Sequence, residues 1–143
     1  MKVCLVQINT TPGDFPGNLL GIENGIKIAS SQKADLVVFP ELTITGYLSQ
    51  DLLYDKDYID AALDSLKKVQ LFSSESDPNL YVVLGNVARN PGRGKPFQNN
   101  AVVLNKGEII GEYTKQLLPF YDVFDELRYF QPGTDLLYFK VKD

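Results

Sequence analysis

The stretch Ala34-Asp35-Leu36-Val37-Val38-Phe39-Pro40-Glu41-Leu42 decides the fold class of this 143-residue chain. Residues 36–39 are continuously apolar and rich in β-formers but too short for a buried helix, which predicts a strand covered on both faces. Pro40 cannot donate to a ladder and therefore ends the strand. Glu41 then lies at the carboxyl end of the strand, where open α/β sheets place ligand sites, although this stretch alone is explained as simply by a helix cap or a surface acid.

Apolar periodicity predicts further strands and two helices around this stretch. The predicted strands cover residues 2–9, 36–39, 80–88, 97–104, 108–113 and 136–141, and the helices cover about 16–31 and 57–72. Asp55 or Asp57 is the expected N-cap of the second helix, and the polar run at 73–79 is expected to end it. Asn105-Lys106-Gly107 predicts a tight hairpin. The β-α-β order at the start indicates parallel strands and an α/β fold.

The composition excludes several classes of function. The length indicates one domain, and a net charge of −4 argues against a nucleic-acid surface. No apolar run is long enough for a signal peptide or a membrane span, so no membrane is expected and the cytosol is the expected compartment. With one Cys and no His, the chain has almost no ligands for Zn, Fe or Cu and no internal disulfide. No metal or cofactor is therefore expected in this chain.

The side chains that remain as candidates for catalysis are carboxylates and amines. Ser-His-Asp catalysis requires His, and no Gly-rich phosphate loop follows a strand. Glu41 and Lys115 each lie just past a predicted strand, where a glutamate can serve as a general base and a lysine can stabilise an oxyanion. The sequence alone does not show that the two side chains meet. The aromatic and charged residues at 115–130 have no clear period and predict a functional loop.

Three motifs resemble the nitrilase, or carbon–nitrogen hydrolase, superfamily: Phe-Pro-Glu-Leu at 39–42, Thr-Gly-Tyr at 45–47, and Lys115 followed by Leu118-Pro119. Residues 115–130, Lys-Gln-Leu-Leu-Pro-Phe-Tyr-Asp-Val-Phe-Asp-Glu-Leu-Arg-Tyr-Phe, are similar more narrowly to the glutaminase domain of glutamine-dependent NAD synthetases. The resemblance covers residues 3–133. It implies the first part of an α-β-β-α sandwich, with a mixed sheet and two helices on one face.

The resemblance also implies roles for individual residues in a Glu-Lys-Cys triad. Glu41 matches the general base and Lys115 the oxyanion-stabilising lysine, while Glu126 matches a second acid that orients the lysine. Tyr47 and Tyr121 match positions that shape the glutamine pocket. In the family a cysteine thiolate attacks the carboxamide, ammonia leaves, and water hydrolyses the thioester.

The nucleophile is the point of departure from the family. The family cysteine comes after the 115–130 block and a further strand, and this sequence ends at Asp143, before that point. Cys4 lies about 16 Å from the carboxyl end of its predicted strand, at ~3.3 Å per residue, and is expected to be a small buried core residue. Residues 1–143 are therefore expected to form a partial glutaminase domain that is inactive alone.

The parent protein is then expected to be a glutamine-hydrolysing NAD+ synthase that takes L-glutamine. ATP and Mg would act only in a synthetase domain that these residues do not contain, and superfamily members suggest a homo-oligomer. Two alternatives remain open: an inactive interaction module that binds through an exposed apolar sheet face, or another nitrilase-type amidase, against which residues 121–130 argue.

Alternatives also remain for single residues of the 115–130 loop. One alternative is that Glu126 is a structural partner of Arg128. Another is that Tyr47 and Tyr121 are packing residues. The remaining aromatics are expected to anchor the loop in the core: Phe120, Phe124, Tyr129 and Phe130.

Overall fold

A five-stranded mixed sheet is the frame of the structure, a computed structural model that describes residues 1–142. Its strands are β1 (Val3–Leu5), β2 (Leu36–Val38), β3 (Tyr81–Arg89), β4 (Phe97–Asn105) and β5 (Glu108–Thr114). They lie in chain order across the sheet. The first three are parallel, and β4 and β5 are each antiparallel to the strand before them.

Two long helices cover one face of this sheet. They are α1 (Phe15–Ser31) and α2 (Lys56–Ser76), and they contact each other as well as the strands, so they lie on the same face. The core between helices and sheet includes the fully buried side chains Ile22, Ile26, Val37, Ile59 and Leu84. A 3₁₀ turn (Gln50–Tyr54) and a short helix, α3 (Glu126–Tyr129), complete the helical elements. This arrangement confirms the predicted α/β class. No helix within residues 1–142 is long and apolar enough to cross a bilayer.

The first strand is shorter than the predicted range of 2–9. It is an edge strand whose partner is β2, and the ladder of β2 ends at Val38 shortly before Pro40. One more bond follows the ladder, from Val6 N to Val38 O at 2.9 Å. Beyond that point β1 has no strand beside it, so the alternating apolar residues that follow do not extend it.

The second helix is longer than predicted, ending at Ser76 rather than near residue 72. The hydroxyls of Ser73 and Ser74 donate to helix carbonyls one turn earlier, so these serines are accommodated in the helix instead of ending it. Pro78 follows directly after the C-cap, and the helix ends there because a proline cannot continue it. At the other end Asp55 is the N-cap, accepting from Asp57 N at 2.8 Å.

The β4–β5 hairpin is confirmed. Its connection consists of Lys106 and Gly107, with φ of 55° and 79°. Positive φ at both central residues is the signature of a type I′ turn, which suits the twist of the flanking strands.

The predicted final strand at 136–141 is wrong, because the structure has no strand between residues 131 and 142. This segment passes over the sheet rather than along its edge: Leu137 packs on Gly111 of β5, and Phe139 stacks on Tyr81 with ring centroids 6.3 Å apart. Tyr81 precedes the core residue Val82, so it faces the side of the sheet opposite the helices. A chain crossing a sheet face cannot reach the backbone groups of a strand.

The loop that follows Glu41 is buried and firmly held. Asn18 of α1 donates its side-chain amide to Thr11 O (2.9 Å) and Ile44 O (3.1 Å) and accepts from Thr11 N (3.0 Å). The hydroxyl of Tyr58 in α2 donates to Thr45 O at 2.9 Å. Both helices therefore anchor the loop that leaves β2.

Gly85 of β3 allows this loop to lie directly on the sheet. Its N–H donates to Pro40 O at 3.2 Å. A Cβ at this position would lie 2.7 Å from Glu41 Cα and would overlap Leu42 N. Only glycine lets the backbone of Glu41 approach β3 so closely.

The Asn18→Ala substitution is expected to lower the free energy of unfolding by about 1–3 kcal/mol, because the buried carbonyl of Ile44 and the partly buried carbonyl of Thr11 lose their donor. Chemical denaturation of the chain measures this loss. Asn24 lies on the same helix but is exposed, so Asn24→Ala is the matched control and should change the value by no more than about 0.5 kcal/mol. Similar effects of the two substitutions would contradict the anchoring role of Asn18.

Candidate functional site

The sheet topology brings Glu41 and Lys115 to the same edge. Strands β2 and β3 are parallel, and β5 is antiparallel to β4, which is antiparallel to β3, so β2 and β5 run in one direction. Glu41 follows the carboxyl end of β2, and Lys115 directly follows the carboxyl end of β5. The two residues are 74 positions apart in sequence, yet they are joined by a hydrogen bond.

The ammonium group of Lys115 lies between two carboxylates. Its Nζ is 2.7 Å from Glu41 Oε1 and 3.0 Å from both carboxylate oxygens of Glu126. The Glu126 side chain is 3% exposed, whereas that of Glu41 is 42% exposed. The buried carboxylate thus holds the lysine from one side, and the accessible one faces solvent and any ligand.

The charge of Lys115 follows from these contacts. Partial burial by itself lowers the pKa of the ammonium, but the hydrogen bonds to Glu41 and Glu126 raise it by more, so the net pKa lies above its usual value. At neutral pH the group is therefore a cation. It can stabilise a developing negative charge but cannot accept a proton.

Glu126 begins the short helix α3, and its N–H donates to Pro119 O at 3.0 Å. The hydroxyl of Tyr47 donates to Glu126 Oε1 at 3.2 Å. Burial, together with the nearby negative charge of Glu126, raises the pKa of Tyr47 well above its usual value, so it remains a donor. Tyr47, predicted to shape a substrate pocket, thus contacts the acid that holds Lys115.

Arg128 is not the partner of Glu126. It forms an ion pair with Asp51, Nη2 to Oδ1 at 3.2 Å, and Tyr129 donates its hydroxyl to the same oxygen at 2.7 Å. The alternative that Glu126 forms a structural pair with Arg128 is therefore wrong. An arginine two positions along a short helix points away from Glu126, so its proximity in sequence was misleading.

Asn99 is the residue of the cluster that the sequence reasoning missed. It lies near the start of β4, at the same edge of the sheet, and its Nδ2 donates to Glu41 Oε1 at 2.6 Å. Its carbonyl accepts from Lys115 N at 2.8 Å. The signal available in the sequence was the polar pair Asn99-Asn100 directly before the apolar stretch 101–104 of the same strand, since asparagine is depleted in strands.

The aromatic loop divides into anchored and exposed residues. Tyr129 and Phe130 are buried, as expected, but Phe120 is 70% exposed, so its predicted anchoring role is wrong. Tyr121 is 65% exposed and lies edge-on to Phe124 with centroids 5.6 Å apart. The structure places Tyr121 beside an open groove that Lys115 also borders, rather than in contact with the two glutamates.

Cys4 lies far from this cluster. It is opposite Val37 in the β1–β2 ladder, and Glu41 lies four residues further along the chain, about 13 Å away at strand spacing. The residue is partly buried against the core rather than fully buried, and it lies on an edge strand. The expectation that Cys4 is fully buried is thus wrong, whereas its expected separation from Glu41 is confirmed.

A groove of about 280 Å³ opens beside the cluster. Apolar side chains from neighbouring strands and the three polar residues share its lining: Val38, Val83, Ala101, Tyr113, Glu41, Asn99 and Lys115. A separate cavity of about 210 Å³ lies beyond Tyr47 and Glu126. Within residues 1–142 no group of three or more His, Cys, Asp or Glu side chains is arranged to hold a metal ion.

The Lys115→Met substitution is expected to destabilise the chain by about 2–4 kcal/mol, because Glu126 is left as a buried unpaired charge. Adding Glu126→Gln should recover part of that loss, which a denaturation series of the single and double variants measures. The control is Lys67→Met, which breaks an exposed pair with Asp64 and should cost less than about 1 kcal/mol. No recovery in the double variant would contradict the pairing.

Several curated relatives of this chain are glutamine-dependent NAD(+) synthetases. A glutamine-dependent NAD(+) synthetase from Thermotoga maritima is 37% identical over 142 residues, a match that covers 99% of this chain and 23% of the relative. A second one, from Acinetobacter baylyi, is 34% identical over 142 residues, a match that covers 97% of this chain and 24% of the relative. The chain thus spans about a quarter of the length of these curated relatives.

Solved structures show the same fold. The glutamine-dependent NAD+ synthetase from Acinetobacter baumannii, in complex with ADP, superposes with a TM-score of 0.82 at 33% identity and covers 96% of this chain and 25% of that one. An amidase from Nesterenkonia sp. superposes with a TM-score of 0.78 at 22% identity, and the match covers 94% of this chain and 49% of the amidase. At this level of identity the comparison shows a similar fold only. The carbon-nitrogen hydrolase family profile matches residues 2–142, and the chain therefore belongs to the carbon-nitrogen hydrolase family.

Proposed function

We propose that this chain provides the general base and the oxyanion-stabilising cation of a glutamine amide hydrolase that supplies ammonia to an NAD synthetase. The observation that supports it most directly is the Lys115 ammonium held between the accessible Glu41 and the buried Glu126. The names of the relatives support glutamine as the amide and NAD synthesis as the use of the ammonia.

The proposed reaction begins with proton transfer from a thiol to Glu41. The thiolate attacks the carboxamide carbon, and the resulting oxyanion is stabilised by Lys115. Glu41 then returns the proton to the leaving nitrogen, ammonia departs, and a thioester remains. In the second half Glu41 accepts a proton from water, which attacks the thioester carbon. The carbon–sulfur bond breaks, glutamate is released, and Glu41 returns the proton to the leaving thiolate.

The thiol of this mechanism comes from outside residues 1–143. Cys4 is the one cysteine of the sequence and lies about 13 Å from Glu41 at strand spacing. The groove beside Glu41 and Lys115 is the proposed location of the substrate amide, with Tyr121 bordering the neighbouring open groove. Residues 1–143 then form a partial glutaminase domain, and ATP and Mg act in a separate synthetase domain. The family resemblance further suggests a cytoplasmic homo-oligomer.

The 143-residue chain by itself is expected to release no ammonia from L-glutamine above the buffer background. The physical reason is that the base and the cation are present but no thiol is within reach of the groove. A coupled glutamate dehydrogenase assay measures the ammonia, and Cys4→Ser serves as a control that should leave the signal unchanged. Ammonia release that is lost in Cys4→Ser would show that the proposed division of the site is incorrect.

The Glu41→Gln substitution tests the base in a protein that joins residues 1–143 to the thiol-bearing segment and a synthetase domain. Glutamine-dependent NAD synthesis is expected to fall by about 10²–10⁴-fold, since the thiol loses its proton acceptor. Synthesis from free ammonia bypasses the step and should be unchanged. Glu108→Gln, in the exposed hairpin, is the matched control. Equal loss of both activities in Glu41→Gln would refute the role of Glu41 as the base.

A further inference from the structure

Asn99 and Asn100 are adjacent in β4 and equally buried, at 3% exposed, but their side-chain amides bind different glutamates. Successive residues of a strand point to opposite faces of the sheet. Asn99 donates its side-chain amide to Glu41 at 2.6 Å, and Asn100 donates its amide to Glu112 at 2.9 Å. The pair therefore offers a comparison inside one strand: two buried amides, each bound to a glutamate, of which only the Asn99 amide binds Glu41.

Asn99 connects the two residues that the proposed reaction requires. Its side chain binds Glu41 Oε1, and its backbone carbonyl accepts from Lys115 N at 2.8 Å. The same Oε1 also accepts from Lys115 Nζ at 2.7 Å. Both hydrogen bonds described for the Glu41 carboxylate thus end on one oxygen, which leaves Oε2 as the oxygen directed to an incoming proton donor.

The orientation of Glu41 depends on this second donor. Its side chain is 42% exposed and has several rotatable bonds, so one contact to the flexible ammonium of Lys115 does not define the plane of its carboxylate. The amide of Asn99 is fixed by its place in the β4 ladder, opposite Val87. Two donors from different directions on Oε1 define which oxygen is presented to the groove.

We infer that Asn99 is a positioning residue of the proposed amide hydrolysis, acting through Glu41 by holding Oε1 so that Oε2 receives the proton of the thiol. The inference rests on the proposed function of Glu41 as the base. Asn99 borders the groove, but its amide binds the oxygen of Glu41 that is not proposed to take the proton. Its loss should lower the rate of the chemical step rather than the affinity for the amide.

The test is Asn99→Asp in the protein that joins residues 1–143 to the thiol-bearing segment and synthetase domain. The variant has nearly the same shape but places an acceptor against Glu41 Oε1. Glutamine-dependent kcat is expected to fall on the order of 10- to 100-fold, with little change in KM for glutamine and with a displaced acid limb in the pH profile. Synthesis from free ammonia should persist. Asn105→Asp, the same change at the opposite end of β4 and outside the groove, should leave the ratio of glutamine to ammonia use unaltered.

A second measurement does not depend on whether these variants fold. In the 143-residue chain labelled with ¹⁵N, the Asn99 side-chain amide signals should move in Glu41→Gln and remain in Glu112→Gln, with the opposite pattern for Asn100. Asn99 side-chain amide signals that do not move in Glu41→Gln would contradict the contact between Asn99 and Glu41.

The outcomes separate the inference from the proposed function. If Glu41→Gln abolishes glutamine use while Asn99→Asp retains kcat and the pH profile, the positioning role is wrong and the base assignment stands. If Asn99→Asp lowers glutamine and ammonia use equally, Asn99 serves only the fold, and the inference is again overturned. If Glu41→Gln leaves glutamine use intact, the proposed function itself fails.

Discussion

The ammonium of Lys115, shared between Glu41 and Glu126, is the interaction on which the rest of the structure converges. Three separate segments supply its members: the end of β2, the end of β5 and the start of α3. A buried carboxylate without a cation is costly, so the position of Glu126 is acceptable only because Lys115 is there. The strand order, the close approach at Gly85 and the loop ending at α3 all serve to place these charges together.

Buried amides and hydroxyls provide the rigidity around this charge cluster. Asn18 and Tyr58 hold the loop that leaves Glu41, while Asn99 and Tyr47 hold the two carboxylates themselves. Each of these polar groups is wholly or partly removed from water and is bonded to another part of the chain, which is the condition for burying it at low cost. The cluster is therefore formed in advance of any ligand, and a reacting group that enters the groove meets donors and acceptors already in place.

The same arrangement divides the proposed chemistry between parts of a larger active site. The described residues place the proposed base, the Lys115 cation and the buried Glu126 at one edge of the sheet, beside a groove lined by Val38, Val83 and Ala101. The single thiol, on β1, lies at a distance that no rotamer can bridge. Under the proposed function, this part of the site controls charge and orientation, and the chain covers 23% of the length of the Thermotoga maritima relative.

The sequence by itself determined the class of fold, the long helices, the β4–β5 hairpin and the identity of Glu41 and Lys115 as candidates, because these depend on local periodicity, turn residues and short motifs. It could not determine where strands end or that residues 136–141 cross the sheet face, because ladder pairing depends on which strand lies alongside. Only the tertiary structure decided that Glu126 pairs with Lys115 rather than Arg128, and that Asn99 reaches Glu41. Those contacts join residues 11 and 58 positions apart, and the direction of a side chain in a sheet or a short helix is set by strand register and packing, which no local pattern encodes.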